Sequence, residues 1–105
     1  MAKVYVFLAN GFEDVEALIP VDVLRRGGVE VVTVSTTDLP VVESAHGVGI
    51  GADAMFGDCD FADADLLMLP GGMPGASNLF AHEYRRVPYR PLIRRLSQKN
   101  ILRRE

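Results

Sequence analysis

The stretch KVYVFLANGFEDVEALIPVDVLRRGGVEVVTVS, residues 3–35, decides the fold. Lys3 to Ala9 is an almost unbroken run of β-branched and aromatic residues, the signature of a strand buried on both faces rather than one that alternates between core and solvent. Asn10-Gly11 ends it in a turn. Glu13, Asp14 and Glu16 then place negative charge on the first turn of a helix that runs to Arg25-Arg26, where positive charge meets the opposite end of the helix dipole and Gly27-Gly28 stops it. Pro20 lacks the N–H that would bond back to Glu16, which predicts a kink there or two short helices in sequence. Val29 to Ser35 is a second strand of the buried kind. Strand, helix and strand in this order form one βαβ unit with a right-handed crossover, and its strands are parallel.

Outward from this unit, Val41 to Glu43 and Val48 to Ala52 read as two short strands of a hairpin around Ser44-Ala45-His46-Gly47. Gly47, Gly49 and Gly51 leave one face of the second of them nearly bare. The acidic stretch from Gly57 to Asp65 predicts a loop or a single helical turn. Leu66 to Leu69 is a third buried strand, followed by PGGMPG at residues 70–75 and by a segment that can start a helix at Asn78. Leu79, Phe80 and Tyr84 fit a helix face, but Pro88 and Pro91 each remove a helical hydrogen bond and five arginines crowd residues 85–95. Leu92, Ile93 and Leu96 suggest helix again, and residues 99–105, KNILRRE, begin like a strand and turn charged.

With 105 residues the chain has room for one domain, and 49% apolar with 24% charged residues is an ordinary globular composition. The apolar run from Val4 to Ala9 is too short for a signal-peptide core and leads straight into acidic residues, and nothing reaches membrane-spanning length. The single cysteine, Cys59, excludes an internal disulfide and a cysteine zinc site, and makes a reducing cytoplasm the expected compartment. The net charge of −3 hides an asymmetry: residues 1–82 carry three basic and twelve acidic side chains, residues 83–105 eight basic and two acidic. The basic end is a candidate phosphate contact, but its only aromatics are Tyr84 and Tyr89 with no recognition motif around them, so nucleic-acid binding is not expected.

Few residues offer chemistry. Pro70-Gly71-Gly72, between a buried strand and a helix, places backbone N–H groups at the carboxyl edge of the sheet, where α/β proteins bind ligands. The spacing fits neither a phosphate loop nor a dinucleotide fingerprint, and no cofactor is expected. A tight structural turn and an anion or oxyanion site both remain open. Glu16 is either compensation of the helix dipole or a carboxylate facing that turn. Cys59 stands between Asp58 and Asp60, whose charges suppress a thiolate. His46 and His82 read as surface or hydrogen-bonded imidazoles, and no cluster has metal-ligand spacing.

Three stretches together resemble a known family: FLANGFEDVEALIPVDVLRRGG at 7–28, VESAHGVGIGAD at 42–53 and ADLLMLPGGMPGASNL at 64–79. They are similar, in order and spacing, to the N-terminal half of a ThiJ/PfpI-type protein, the class I glutamine amidotransferase-like superfamily that includes the parkinsonism-associated deglycase and the PfpI proteases. The resemblance implies a flavodoxin-like parallel sheet with helices on both faces, incomplete here, and a nucleophilic cysteine on an elbow after the next strand. Glu16 matches the glutamate that hydrogen-bonds that cysteine, and Gly71 and Gly72 match the turn whose N–H helps hold the oxyanion. Aligned on Gln98 to Leu102, the cysteine falls at or beyond Glu105, so the nucleophile is expected to be missing. Departure from the pattern begins near Tyr84. Residues 1–83 are therefore expected to form a half-domain and 84–105 a divergent basic tail, as a truncation or frameshift would produce. The family's substrates imply a small carbonyl or glycated compound, and its activities include deglycase, glyoxalase-like hydratase, amidase or protease, and oxidative-stress chaperone. A homodimer or larger assembly is expected to cover the apolar surface left open; a non-catalytic chaperone or oligomerisation module is the alternative.

Overall fold

β1 (Lys3–Leu8) is the centre of a parallel sheet because its side chains are apolar on both sides. The structure is a computed structural model that describes residues 2–72 and 75 in full and 101–103 as backbone. On one flank β1 pairs with β2 (Glu30–Ser35), in register from Lys3 with Glu30 to Leu8 with Ser35. On the other flank it pairs with β6 (Leu66–Leu69), from Val4 with Leu66 to Val6 with Met68. β5 (Ala54–Met55) adds to β2 and β7 (Ile101–Arg103) to β6, giving the all-parallel order β5-β2-β1-β6-β7.

The alternation of side chains along β1 builds two cores. Val4, Val6 and Leu8 join Phe12, Val42 and Met68 on the face covered by α1 (Asp14–Arg26), which inserts Ala17 and Val21. Tyr5 and Phe7 point to the other face, where Phe61 meets their rings edge-on at 4.9 and 5.3 Å between centroids. That face is covered by two 3₁₀ turns, Phe56–Asp58 and Phe61–Asp63. The buried strands and the α/β parallel architecture are those expected.

Several local expectations need correction. α1 is one 13-residue helix that passes through Pro20, so of the two alternatives at that proline the pair of short helices is excluded. Pro20 removes a single ladder bond, and Ala17 and Val21, buried on either side of it, hold the two parts against the same core. The acidic stretch makes two turns, not one, the second capped by the Asp60 carboxylate on the Ala62 N–H. The edge strand β5 was not expected: at two residues it is too short to show a period. Its entry is fixed by Asp53, which accepts from the Thr33 N–H and hydroxyl and pairs with Arg25 at 2.7 Å. The hairpin is present as its own two-stranded sheet of β3 (Val41–Glu43) and β4 (Gly49–Gly51), one residue shorter at each end of its second strand than expected. The expected strand near the end of the chain is β7. The helical patterns at Leu79, Phe80 and Tyr84 and at Leu92, Ile93 and Leu96 lie outside the described residues, as does His82. Among the described residues no helix is long and apolar enough to cross a membrane.

Candidate functional site

Because β1 and β6 are parallel neighbours, the turns that follow them leave the sheet at the same edge. The turn after β1, residues 10–14, is gripped from both sides. From the β6 side, the Glu13 N–H donates to the Gly71 carbonyl at 2.8 Å, and the Gly75 N–H donates to the Gly11 carbonyl at 3.0 Å. These contacts demand glycine. A Cβ on Gly72 would lie 2.6 Å from the Glu13 nitrogen, and Gly72 has φ +99, a conformation that side chains rarely adopt. A Cβ on Gly75 would lie 2.6 Å from the Gly11 oxygen and from the Phe12 backbone. The glycine turn is thus a close-approach turn, and it packs on the residues that open α1. Among the described residues the Gly72 N–H meets no protein acceptor.

Glu13 is the N-cap of α1, and its own N–H is taken by Gly71, so the cap does not need Glu16 to reach back to it. Glu16, three residues on and on the same helix face, is half-buried and has no hydrogen-bond or ion-pair partner among the described residues. Glu16, Gly71 and Gly72, separated by more than fifty positions of sequence, therefore belong to one corner of the fold. Dipole compensation is already supplied by Asp14, the first residue of the helix.

From the other side the hairpin holds the same turn. The Asn10 side-chain oxygen accepts from the Glu43 N–H, the Gly11 N–H donates to the Glu43 carbonyl, and the Ala45 N–H donates to the Phe12 carbonyl. The buried Ser44 hydroxyl donates to one Asp14 oxygen at 2.7 Å, while His46 Nδ1 meets the other at 2.9 Å. Ser44 Oγ also accepts from the N–H groups of His46 and Val48. The Ser44 hydroxyl first and the His46 ring second hold the Asp14 carboxyl below its usual range; Asp14 draws the His46 imidazole above its ordinary value, with Glu13 adding to it. Sequence spacing missed this joint, since Asp14 and His46 are 32 positions apart. His46 is, as expected, a hydrogen-bonded surface imidazole, 69% exposed.

Glu13, Asp14 and His46 bring three potential ligand atoms within 4.8 Å of one another. Asp14 and His46 satisfy each other directly and Ser44 takes the remaining Asp14 oxygen, so the group is a closed hydrogen-bonded cluster rather than an open ligand set. Cys59 lies elsewhere. It packs against the core formed by Tyr5, Phe7 and Phe61, on the face of the sheet opposite α1, and its Sγ donates to the Met55 carbonyl. Burial pushes its thiol up, and Asp58 pushes it further. It has neither the place nor the charge environment to serve Glu16.

The DJ-1/PfpI family model matches residues 2–100. Protein DJ-1 homolog B of Arabidopsis thaliana is 42% identical over 77 residues, which are 73% of this chain and 18% of that protein. The Parkinson disease protein 7 homolog of Danio rerio is 37% identical over 78 residues, 73% of this chain and 41% of that protein. Among solved structures, a cysteine-to-alanine mutant of a DJ-1 superfamily protein from Salmonella typhimurium superposes with a TM-score of 0.73 at 35% identity, covering 84% of this chain and 51% of that one. Oxidized DJ-1 of Toxoplasma gondii gives 0.70 at 34% identity, covering 81% and 52%. The chain thus spans about half the length of these structures and less than half of those two curated relatives.

Proposed function

Since the chain belongs to the DJ-1/PfpI family, we propose that the corner between α1 and the glycine turn is the acid and oxyanion-holding half of a cysteine-dependent site for small carbonyl or glycated compounds. Glu16 is the carboxylate partner of the sulfur, and Gly71 and Gly72 present backbone N–H to developing negative charge. The observation that supports this most is the clamp itself: Gly72 lies against the backbone of Glu13, one helical turn from a Glu16 that has no partner among the described residues. A carboxylate near a thiol serves by taking its proton or by accepting its hydrogen bond, which fixes the sulfur in position.

In this reading Cys59, packed against the core on the face of the sheet opposite α1, is not the nucleophile. The isolated 105-residue chain is therefore expected to consume methylglyoxal no faster than buffer does, and Cys59→Ser to change nothing. A rate typical of a competent enzyme from the purified chain would overturn this reading.

One observation favours a role in assembly beside it. α1 carries two apolar stripes on opposite sides. Ala17 and Val21 face the core, while Val15, Ile19 and Val23 recur every four residues on the outside and are 57%, 55% and 59% exposed. The occupant we propose is a second copy packed α1 against α1. Ile19→Asp is expected to convert the dimer to a monomer in sedimentation equilibrium without changing the circular dichroism spectrum. An unmodified chain that stays monomeric at every concentration measured would contradict it.

A further inference from the structure

Among the described residues the hairpin β3–β4 is hydrogen-bonded to the main body through residues 10–14 and not through the five-stranded sheet. Most of its attachment is insensitive to pH: three backbone or amide hydrogen bonds, the bridge between Phe12 and Ser44, and the buried Val42 side chain. Its tip is different. Residues 44–48 are organised by Ser44 Oγ, which gathers two hairpin N–H groups and donates to Asp14, and by the His46 ring on the other Asp14 oxygen. Asp14 is fixed by the fold as the first residue of α1, where the helix dipole favours its charge. His46 is the part that changes charge in the physiological range.

We propose that the Asp14–His46 pair is a charge latch: an imidazolium pins the hairpin tip to the first turn of α1, and a neutral imidazole leaves only a neutral hydrogen bond there. The bond itself survives deprotonation, because a neutral ring can keep its proton on Nδ1 and still donate to Asp14. What is lost is the attraction between charges. Among the described residues the charged groups facing the ring are Asp14 and Glu13 from α1, both negative, so both favour the imidazolium. The sign follows from linkage. His46 titrates higher in the folded chain than in the unfolded one, so its contribution is complete below its ordinary value and disappears as pH rises through the folded one. Asp14 is lowered, so its contribution holds above the usual carboxylate range and disappears only in strong acid. The latch is closed between the two titrations and loosens toward alkaline pH. With the ring largely in solvent it is also weakened by salt.

The test is amide hydrogen exchange of the full chain, read as protection factors for the N–H groups of His46 and Val48 between about pH 5 and about pH 8, with imidazole titrations followed in parallel by NMR. The native chain is expected to lose tip protection several-fold across the interval at low salt and much less at high salt. Asp14→Asn and His46→Gln are both expected to remove the pH dependence, and Asp14→Asn to return the His46 titration toward that of a free imidazole. The Ala45 amide, bonded to the Phe12 carbonyl, serves as internal control. Tip protection that is flat with pH in the native chain, or a His46 titration unchanged by Asp14→Asn, would overturn the proposal. Because no activity is measured, this result is independent of the catalytic reading.

Discussion

Gly72→Ala is expected to destabilise the chain by about 3 kcal/mol or more, combining a non-glycine residue at positive φ with overpacking against rigid backbone. The new methyl would fall 2.6 Å from the Glu13 nitrogen, 3.0 Å from its Cβ and 3.1 Å from its Cα, and none of these is the far end of a flexible side chain that could swing aside. Either the turn backs away from α1 or the first turn of the helix unwinds. Both break the hydrogen bond from the Glu13 N–H to the Gly71 carbonyl. Urea denaturation measures the loss as a fall in midpoint at constant slope. Gly51→Ala is the control: its Cβ would meet nothing within 4 Å, and a change within about 0.5 kcal/mol is expected there. Equal costs at the two positions would mean that the close approach is not what position 72 requires.

Phe12→Ala is expected to cost about 3–5 kcal/mol, the range for removing a fully buried phenylalanine. Phe12 has no exposed surface and packs in the core formed by Val4, Val6, Leu8, Ala17 and Val42, so its ring ties sheet, helix and hairpin together. Its backbone meanwhile carries the bridge to Ser44, the bond from Ala45, and the surface on which Gly75 rests. Loss of the ring therefore removes the floor under the candidate site as well as core volume. Thermal unfolding should show the loss, and hydrogen exchange should show residues 10–14 and 43–46 opening before the sheet does. A cost below about 1 kcal/mol would be typical of an exposed position and would contradict this placement.

The sheet was legible in the sequence because a strand buried on both faces has no polar alternation to hide it: Lys3 to Ala9, Val29 to Ser35 and Leu66 to Leu69 each occur as β1, β2 and β6 within one or two residues. The corner between α1 and the glycine turn was legible for a related reason. Parallel strands fix which loops share an edge, so the acidic helix start and Pro70-Gly71-Gly72 had to lie at the same end of the sheet. What sequence could not show is contact between distant residues. Nothing in the spacing of Asp14, Ser44 and His46 marks them as one hydrogen-bonded joint, and Gly75 looks like a turn residue until its neighbour proves to be the Phe12 backbone. β5 escaped because two residues carry no period. At Pro20 the sequence left a kinked helix and two short helices open, and the burial of Ala17 and Val21 on either side of it goes with a single continuous helix.

The most direct measurement on the central claim is a nuclear Overhauser spectrum of the isotopically labelled chain. If the turn after β6 rests on the opening residues of α1, the α-protons of Gly72 will show strong cross-peaks to the Glu13 amide, those of Gly75 will show them to Phe12, and the Glu13 amide will exchange slowly. Absence of both sets of cross-peaks, with a Glu13 amide that exchanges as fast as in an unfolded peptide, would place Glu16 and Gly72 in separate parts of the molecule and contradict the site.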